Sequence, residues 1–135
     1  MIKNYENSLR EIIKEYNIKP KKKLGQNFLH DKNIISSIIN NVNVKDEDII
    51  EIGPGPGILT ENILKNKARS LLVIEKDDSF EVNLKKIKNK YKDNFIYLIN
   101  DVIDFDFNKL KKKEYKIVSN LPYNISVPFI LKWSK

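Results

Sequence analysis

Four short apolar runs in this chain each end in residues that can do chemistry. Ile49-Ile50-Glu51-Ile52 leads into Gly53-Pro54-Gly55-Pro56-Gly57, and the run from Ser70 leads to Glu75. Phe95 to Ile99 leads into Asn100-Asp101-Val102, and Tyr115 to Ser119 into Asn120-Leu121-Pro122-Tyr123. Close-set glycines let a backbone turn sharply and approach a ligand that side chains would hold off. Taken alone, such a cluster is as readily a structural turn. Glu75 lies 18 residues past Gly57, where a carboxylate can accept hydrogen bonds from both hydroxyls of a ribose. Its neighbour Lys76 is grouped with it as a cofactor contact. Asp101 can accept from an adenine exocyclic amine while the Val102 amide donates to a ring nitrogen. The glycine spacing is Gly-x-Gly-x-Gly, without the Gly-x-Gly-x-x-Gly that sets a helix N-terminus on a pyrophosphate. A phosphate-free adenosyl ligand, S-adenosyl-L-methionine, therefore fits better than NAD, the alternative. No lysine follows the loop as in a P-loop.

Asn120-Leu121-Pro122-Tyr123 is the most specific of the four. An exocyclic amine of adenine or cytosine is a poor nucleophile because its lone pair is delocalised into the ring. The Asn120 side-chain carbonyl and the Leu121 or Pro122 backbone carbonyl can hold its hydrogens and favour a pyramidal nitrogen. Pro122 fixes the backbone, and Tyr123 offers a ring on which a base can stack. A sulfonium methyl is already activated, so positioning and electrostatics suffice without a strong general base.

Positioning four such sets requires strands whose carboxyl ends lie together, with helices between them. Ile58 to Leu64 reads as a helix after the glycine turn. Asp77 and Asp78 can cap a helix with the stripe Phe80, Leu84, Ile87 and Tyr91, and Asp31 can cap one carrying Ile34, Ile35, Ile38, Ile39 and Val42. Ser126 is expected to cap a last helix through Pro128, Phe129, Ile130, Leu131 and Trp133. Residues 4–16 place Tyr5, Leu9, Ile12, Ile13 and Tyr16 on one helical face, and Pro20 and Gly25 then break regular structure. Strands alternating with helices predict an α/β fold with a parallel sheet and right-handed crossovers.

The chain has 135 residues, 41% hydrophobic and 32% charged, with net charge +7. That suits one domain with a real core and a polyanionic partner such as nucleic acid; lysines that are simply solvated would give the same balance. Four lysines fall between Lys19 and Lys23, and more at Lys109 and Lys111 to Lys113. There is no cysteine and one histidine, His30, which excludes disulfides and leaves no zinc or haem set. No run approaches the ~18 apolar residues of a membrane span and the first 20 residues lack a signal-peptide core. A soluble, cytoplasmic protein without a metal is expected.

These motifs, in this order, resemble the ribosomal RNA adenine N6,N6-dimethyltransferases of the KsgA type. The matching pieces are Leu24-Gly25-Gln26-Asn27-Phe28-Leu29, Glu51 through Gly57 to Thr60, Glu75, Asp101-Val102 and Asn120 to Ser126. The resemblance implies a Rossmann-like class I methyltransferase fold and S-adenosylmethionine as methyl donor. Its implied substrate is two neighbouring adenosines near the 3′ end of small-subunit rRNA, in a pre-30S particle, with the protein acting as a monomer. It gives Gln26, Asn27 and Leu29 the role of folding over the methionine part of the cofactor; Lys21, Lys22 and Lys23, in the basic run, are expected to hold RNA phosphates. Erythromycin-resistance methylases share the architecture; Leu121 and the Lys-Lys-Leu-Gly lead-in favour the small-subunit type. Residues 1–30 then form a helix and basic arm, and residues 31–135 an incomplete methyltransferase domain. In the family's strand order, 3-2-1-4-5-7-6, the sheet would stop after its fourth strand and leave that strand as an open edge. A non-catalytic RNA-binding or ribosome-assembly remnant of the same family is the alternative reading.

Overall fold

The alternation of strand-forming and amphipathic segments produces a sheet and its covering helices in the computed structural model, which describes residues 32–119 and 129–134. The strands are β1 (Asp48–Ile52), β2 (Ser70–Glu75), β3 (Phe95–Ile99), β4 (Glu114–Ser119) and β5 (Phe129–Ser134). The helices are α1 (Lys32–Val42), α2 (Ile58–Lys65) and α3 (Glu81–Lys90). Sheet order is β3-β2-β1-β4-β5. β1 pairs in parallel with β2 and β4, and β2 in parallel with β3. Four carboxyl ends therefore share one end of the sheet, as the strand-end motifs require.

Both crossovers, β1-α2-β2 and β2-α3-β3, step the same way across the sheet, so a right-handed connection places α2 and α3 on one face. Packing follows. Ile35, Ile38, Ile39 and Val42 of α1, Leu59 and Ile63 of α2, and Leu84 and Ile87 of α3 share a core with Ile49, Leu71, Val73 and Phe95. Side chains alternate along a strand, and Ile50, Ile52, Ile74 and Ile117 accordingly fill the other face. There they lie under Val102, Phe105, Phe107 and Leu110. These four come from two short 3-10 turns, Val102–Asp104 and Phe107–Lys109, and the residues after each. Phe105 and Phe107 meet edge to face with centroids 5.0 Å apart.

At the amino end of the strands Asp48 is buried. It accepts from Arg69 Nη2 at 2.7 Å and Ser70 Oγ at 2.6 Å. Burial alone would raise this carboxyl, but the hydrogen bonds from Arg69 and Ser70 and the Arg69 charge outweigh it and hold it below the usual carboxylate range.

One expectation is corrected. The segment expected as a last helix is strand β5, antiparallel to β4 in the register Glu114↔Ser134 to Ser119↔Phe129. Phe129-Ile130-Leu131 is a continuous apolar run of residue types that suit a pleated surface, too short to dictate a helix. Pairing with β4 occupies backbone donors and acceptors that an edge would leave bare. The expected open edge at β4 is corrected with it. The N-terminal helix over 4–16, the basic arm and the Asp31 cap lie outside the described residues.

Candidate active site

β1 ends at Ile52, and the Gly53 N–H continues its ladder by donating to the Ile74 carbonyl at 2.9 Å. The chain then turns. The Gly57 N–H donates to the Pro54 carbonyl at 3.1 Å, and α2 begins one residue later. Gly55 and Gly57 are needed for different reasons. At Gly55 φ is +56°, and a Cβ would meet nothing within 4 Å, so the backbone there faces open space. At Gly57 φ is +91°, and a Cβ would lie 2.5 Å from Ile87 Cδ1. Its bareness lets α3 pack against the turn, a packing use that the ligand argument for close-set glycines did not include.

Glu75, at the end of β2, is buried. Its Oε1 accepts from the Gly55 N–H at 2.8 Å and its Oε2 from the Asp77 N–H at 2.9 Å. A carboxylate has about four lone-pair positions, so acceptor capacity remains for a diol. The Asn100 N–H donates to the Glu75 carbonyl at 2.8 Å, which brings the end of β3 beside the end of β2. Asp101 follows at once. Its Oδ1 accepts from the Ile103 N–H at 3.0 Å, and its Oδ2 lies 3.6 Å from the exposed Lys76 ammonium. Val102 is buried in the cluster that holds Ile52 and Ile74. The glycine turn, Glu75, Lys76, Asp101 and Val102 are thus brought together at three adjacent strand ends.

Sequence reasoning gave no role to Glu51, the acidic residue flanked by Ile50 and Ile52 in β1. It is fully buried. Its Oε1 accepts from Thr60 Oγ1 at 2.5 Å, and its Oε2 is buried with no partner among the described residues. Burial pushes this carboxyl up to about 8; the Thr60 bond pulls the other way and the Glu75 charge adds to the rise. Glu51 is held neutral near pH 7. The available signal was a charged residue within the apolar run Ile49 to Ile52, with a threonine on the helix beyond the turn.

Asn120, Leu121, Pro122 and Tyr123 lie outside the described residues, as do Gln26, Asn27, Leu29, Lys21, Lys22 and Lys23. Ser119, the residue before Asn120, is in register with Ile52 on one side and Phe129 on the other. Among the described residues no group of three or more His, Cys, Asp or Glu could hold a metal ion, and no helix is long and apolar enough to cross a membrane.

Residues 17–135 match the family model described as ribosomal RNA adenine dimethylase. The chain belongs to that family. Ribosomal RNA small subunit methyltransferase A of Clostridium acetobutylicum is 40% identical over 130 residues, covering 94% of this chain and 46% of the relative. The protein of the same name from Mycoplasmopsis synoviae is 43% identical over 113 residues, covering 83% of this chain and 42% of the relative. The chain spans less than half the length of the curated relatives it matches. A dimethyladenosine transferase from Plasmodium falciparum superposes with a TM-score of 0.52 over 66% of this chain and 42% of that one. At 22% identity it shows the shared fold alone. Adenine dimethylases of this family take S-adenosylmethionine as methyl donor. The strand ends fit that group: Glu75 keeps free lone pairs, and the Gly55 backbone borders open space.

Proposed function

We propose that this protein transfers methyl groups from S-adenosyl-L-methionine to N6 of adenosine in small-subunit rRNA. The reading extends to two adjacent adenosines near the 3′ end, modified on the pre-30S particle in the cytoplasm during ribosome biogenesis by a monomeric enzyme. The observation that carries it is the meeting of Glu75 and Asp101 beside the glycine turn, through the Asn100–Glu75 backbone bond.

Glu75 would take the ribose hydroxyls and Asp101 the adenine amine. Lys76, Val102 and the Gly53–Gly57 backbone would complete the contacts, with Gln26, Asn27 and Leu29 over the amino-acid end. When bound, the donor supplies a methyl on a positively charged sulfur. Asn120 and the Leu121 or Pro122 carbonyl would hold the target amine and Tyr123 would stack on its base; the amine would give up a proton to water as the methyl's bond to sulfur is exchanged for the new C–N bond, leaving a neutral thioether. Residues 31–135 would carry the rest of this site, and Lys21, Lys22 and Lys23 of the 1–30 arm would hold RNA phosphates.

Isothermal titration with S-adenosylmethionine, paired with transfer of labelled methyl to small-subunit rRNA, tests the reading. Glu75→Ala is expected to weaken donor binding, whereas Asn120→Ala leaves binding nearly intact and removes transfer. Absence of donor binding by the wild-type chain overturns it. Salt-sensitive RNA binding without transfer would favour the non-catalytic alternative.

A further inference from the structure

We infer that Glu75 is a positioning residue for the glycine turn, its carboxylate bridging the Gly55 and Asp77 amides so that the turn is set before a ligand arrives. Three features carry this. First, Pro54 and Pro56 fix their own φ angles but leave Gly55 between them as the freest joint of the turn. Gly55 sits at φ +56° beside open space, so no side-chain packing on that side holds it.

Second, the Gly55 N–H donates to Glu75 Oε1 at 2.8 Å, across 20 residues of chain. Charge-assisted bonds of this type are among the stronger ones, and this carboxylate is buried. Third, the carboxylate is itself anchored. Its other oxygen accepts from the Asp77 N–H at 2.9 Å. Its backbone is in register with Ile99 and its carbonyl accepts from Asn100. Rigidity therefore passes from the β2–β3 ladder through one side chain to the flexible centre of the turn. A turn set in advance spares a ligand the entropy of ordering it.

Only that last consequence rests on the proposed function; the tie itself belongs to the ligand-free chain and is tested there. Amide hydrogen exchange is followed by NMR on the ligand-free 135-residue wild type and on Glu75→Ala and Glu75→Gln. In Glu75→Ala the Gly55 and Asp77 amides should exchange about 10- to 100-fold faster, while Ile50 and Val73 in the central strands keep their protection. Glu75→Gln has one carbonyl oxygen in place of two carboxylate oxygens and should release one of the two amides. It also decides the matter if the alanine variant fails to fold. A Gly55 amide already unprotected in wild type, or unchanged in both variants over a protected core, overturns the inference. Titration of the same samples with S-adenosylmethionine separates the two claims. Protected Gly55 without donor binding sinks the function and keeps the tie; donor binding with unprotected Gly55 does the reverse.

Discussion

Glu51 and Thr60 close a clasp across the glycine turn, Thr60 Oγ1 donating to Glu51 Oε1 from the first turn of α2 to the strand that precedes the loop. The second Glu51 oxygen is buried with no partner among the described residues. A carboxylate in that position would carry an unsolvated charge, so the neutral acid is the folded form.

This sets a pH dependence. The folded carboxyl is raised from 4.5 to about 8 by burial, so between those values the folded state binds more protons than the unfolded chain. Stability from this group is complete below 4.5 and is lost as pH rises through about 8. Thermal melts over that window should fall for wild type and stay flatter for Glu51→Gln. Parallel slopes for the two proteins would remove Glu51 as the cause. Thr60→Val should cost about 1–3 kcal/mol by leaving Glu51 wholly unpaired, read by denaturant titration.

The two glycines should separate stability from binding. Gly57→Ala combines a positive φ with a methyl against Ile87, and should cost about 2–4 kcal/mol. Trimming the obstacle with Ile87→Val should make the same glycine change less costly in a double-mutant cycle. Gly55→Ala meets open space and should cost only about 1 kcal/mol, yet its methyl enters the side on which the proposed donor lies. Urea titrations and calorimetric binding on the same samples distinguish the two positions.

At the opposite end of the sheet Asp48 has a carboxyl held below 3.8 in the fold. Its contribution is present above 3.8 and is lost as pH falls through the lower folded value. Asp48→Asn should blunt the loss of melting temperature in acid, and Asp48→Ala should destabilise by about 2–3 kcal/mol without altering donor affinity. A change in affinity would show that the two ends of the sheet are coupled.

Asp101 carries the proposed contact to an adenine amine. Asp101→Ala should weaken S-adenosylmethionine binding about tenfold, whereas Asp101→Asn, which keeps a carbonyl acceptor, should stay within about threefold. Equal loss in both would assign the effect to charge, through Lys76, rather than to hydrogen bonding.

Much of this was legible in the chain alone. Apolar runs ending in glycine or carboxylate, separated by 3.6-period stripes, determined four parallel strands, the helices between them and the meeting of Gly53–Gly57, Glu75 and Asp101. Those are local patterns joined by a handedness rule, so residue order suffices. The strand at Phe129–Ser134 was not legible, because a short apolar run takes its form from the edge it meets, here that of β4. The roles of Glu51 and Gly57 were likewise decided only by tertiary structure. Burial around one carboxyl and contact with Ile87 at one glycine depend on how α2 and α3 pack against the sheet and the glycine turn, and no spacing in the sequence measures how closely two packed elements approach.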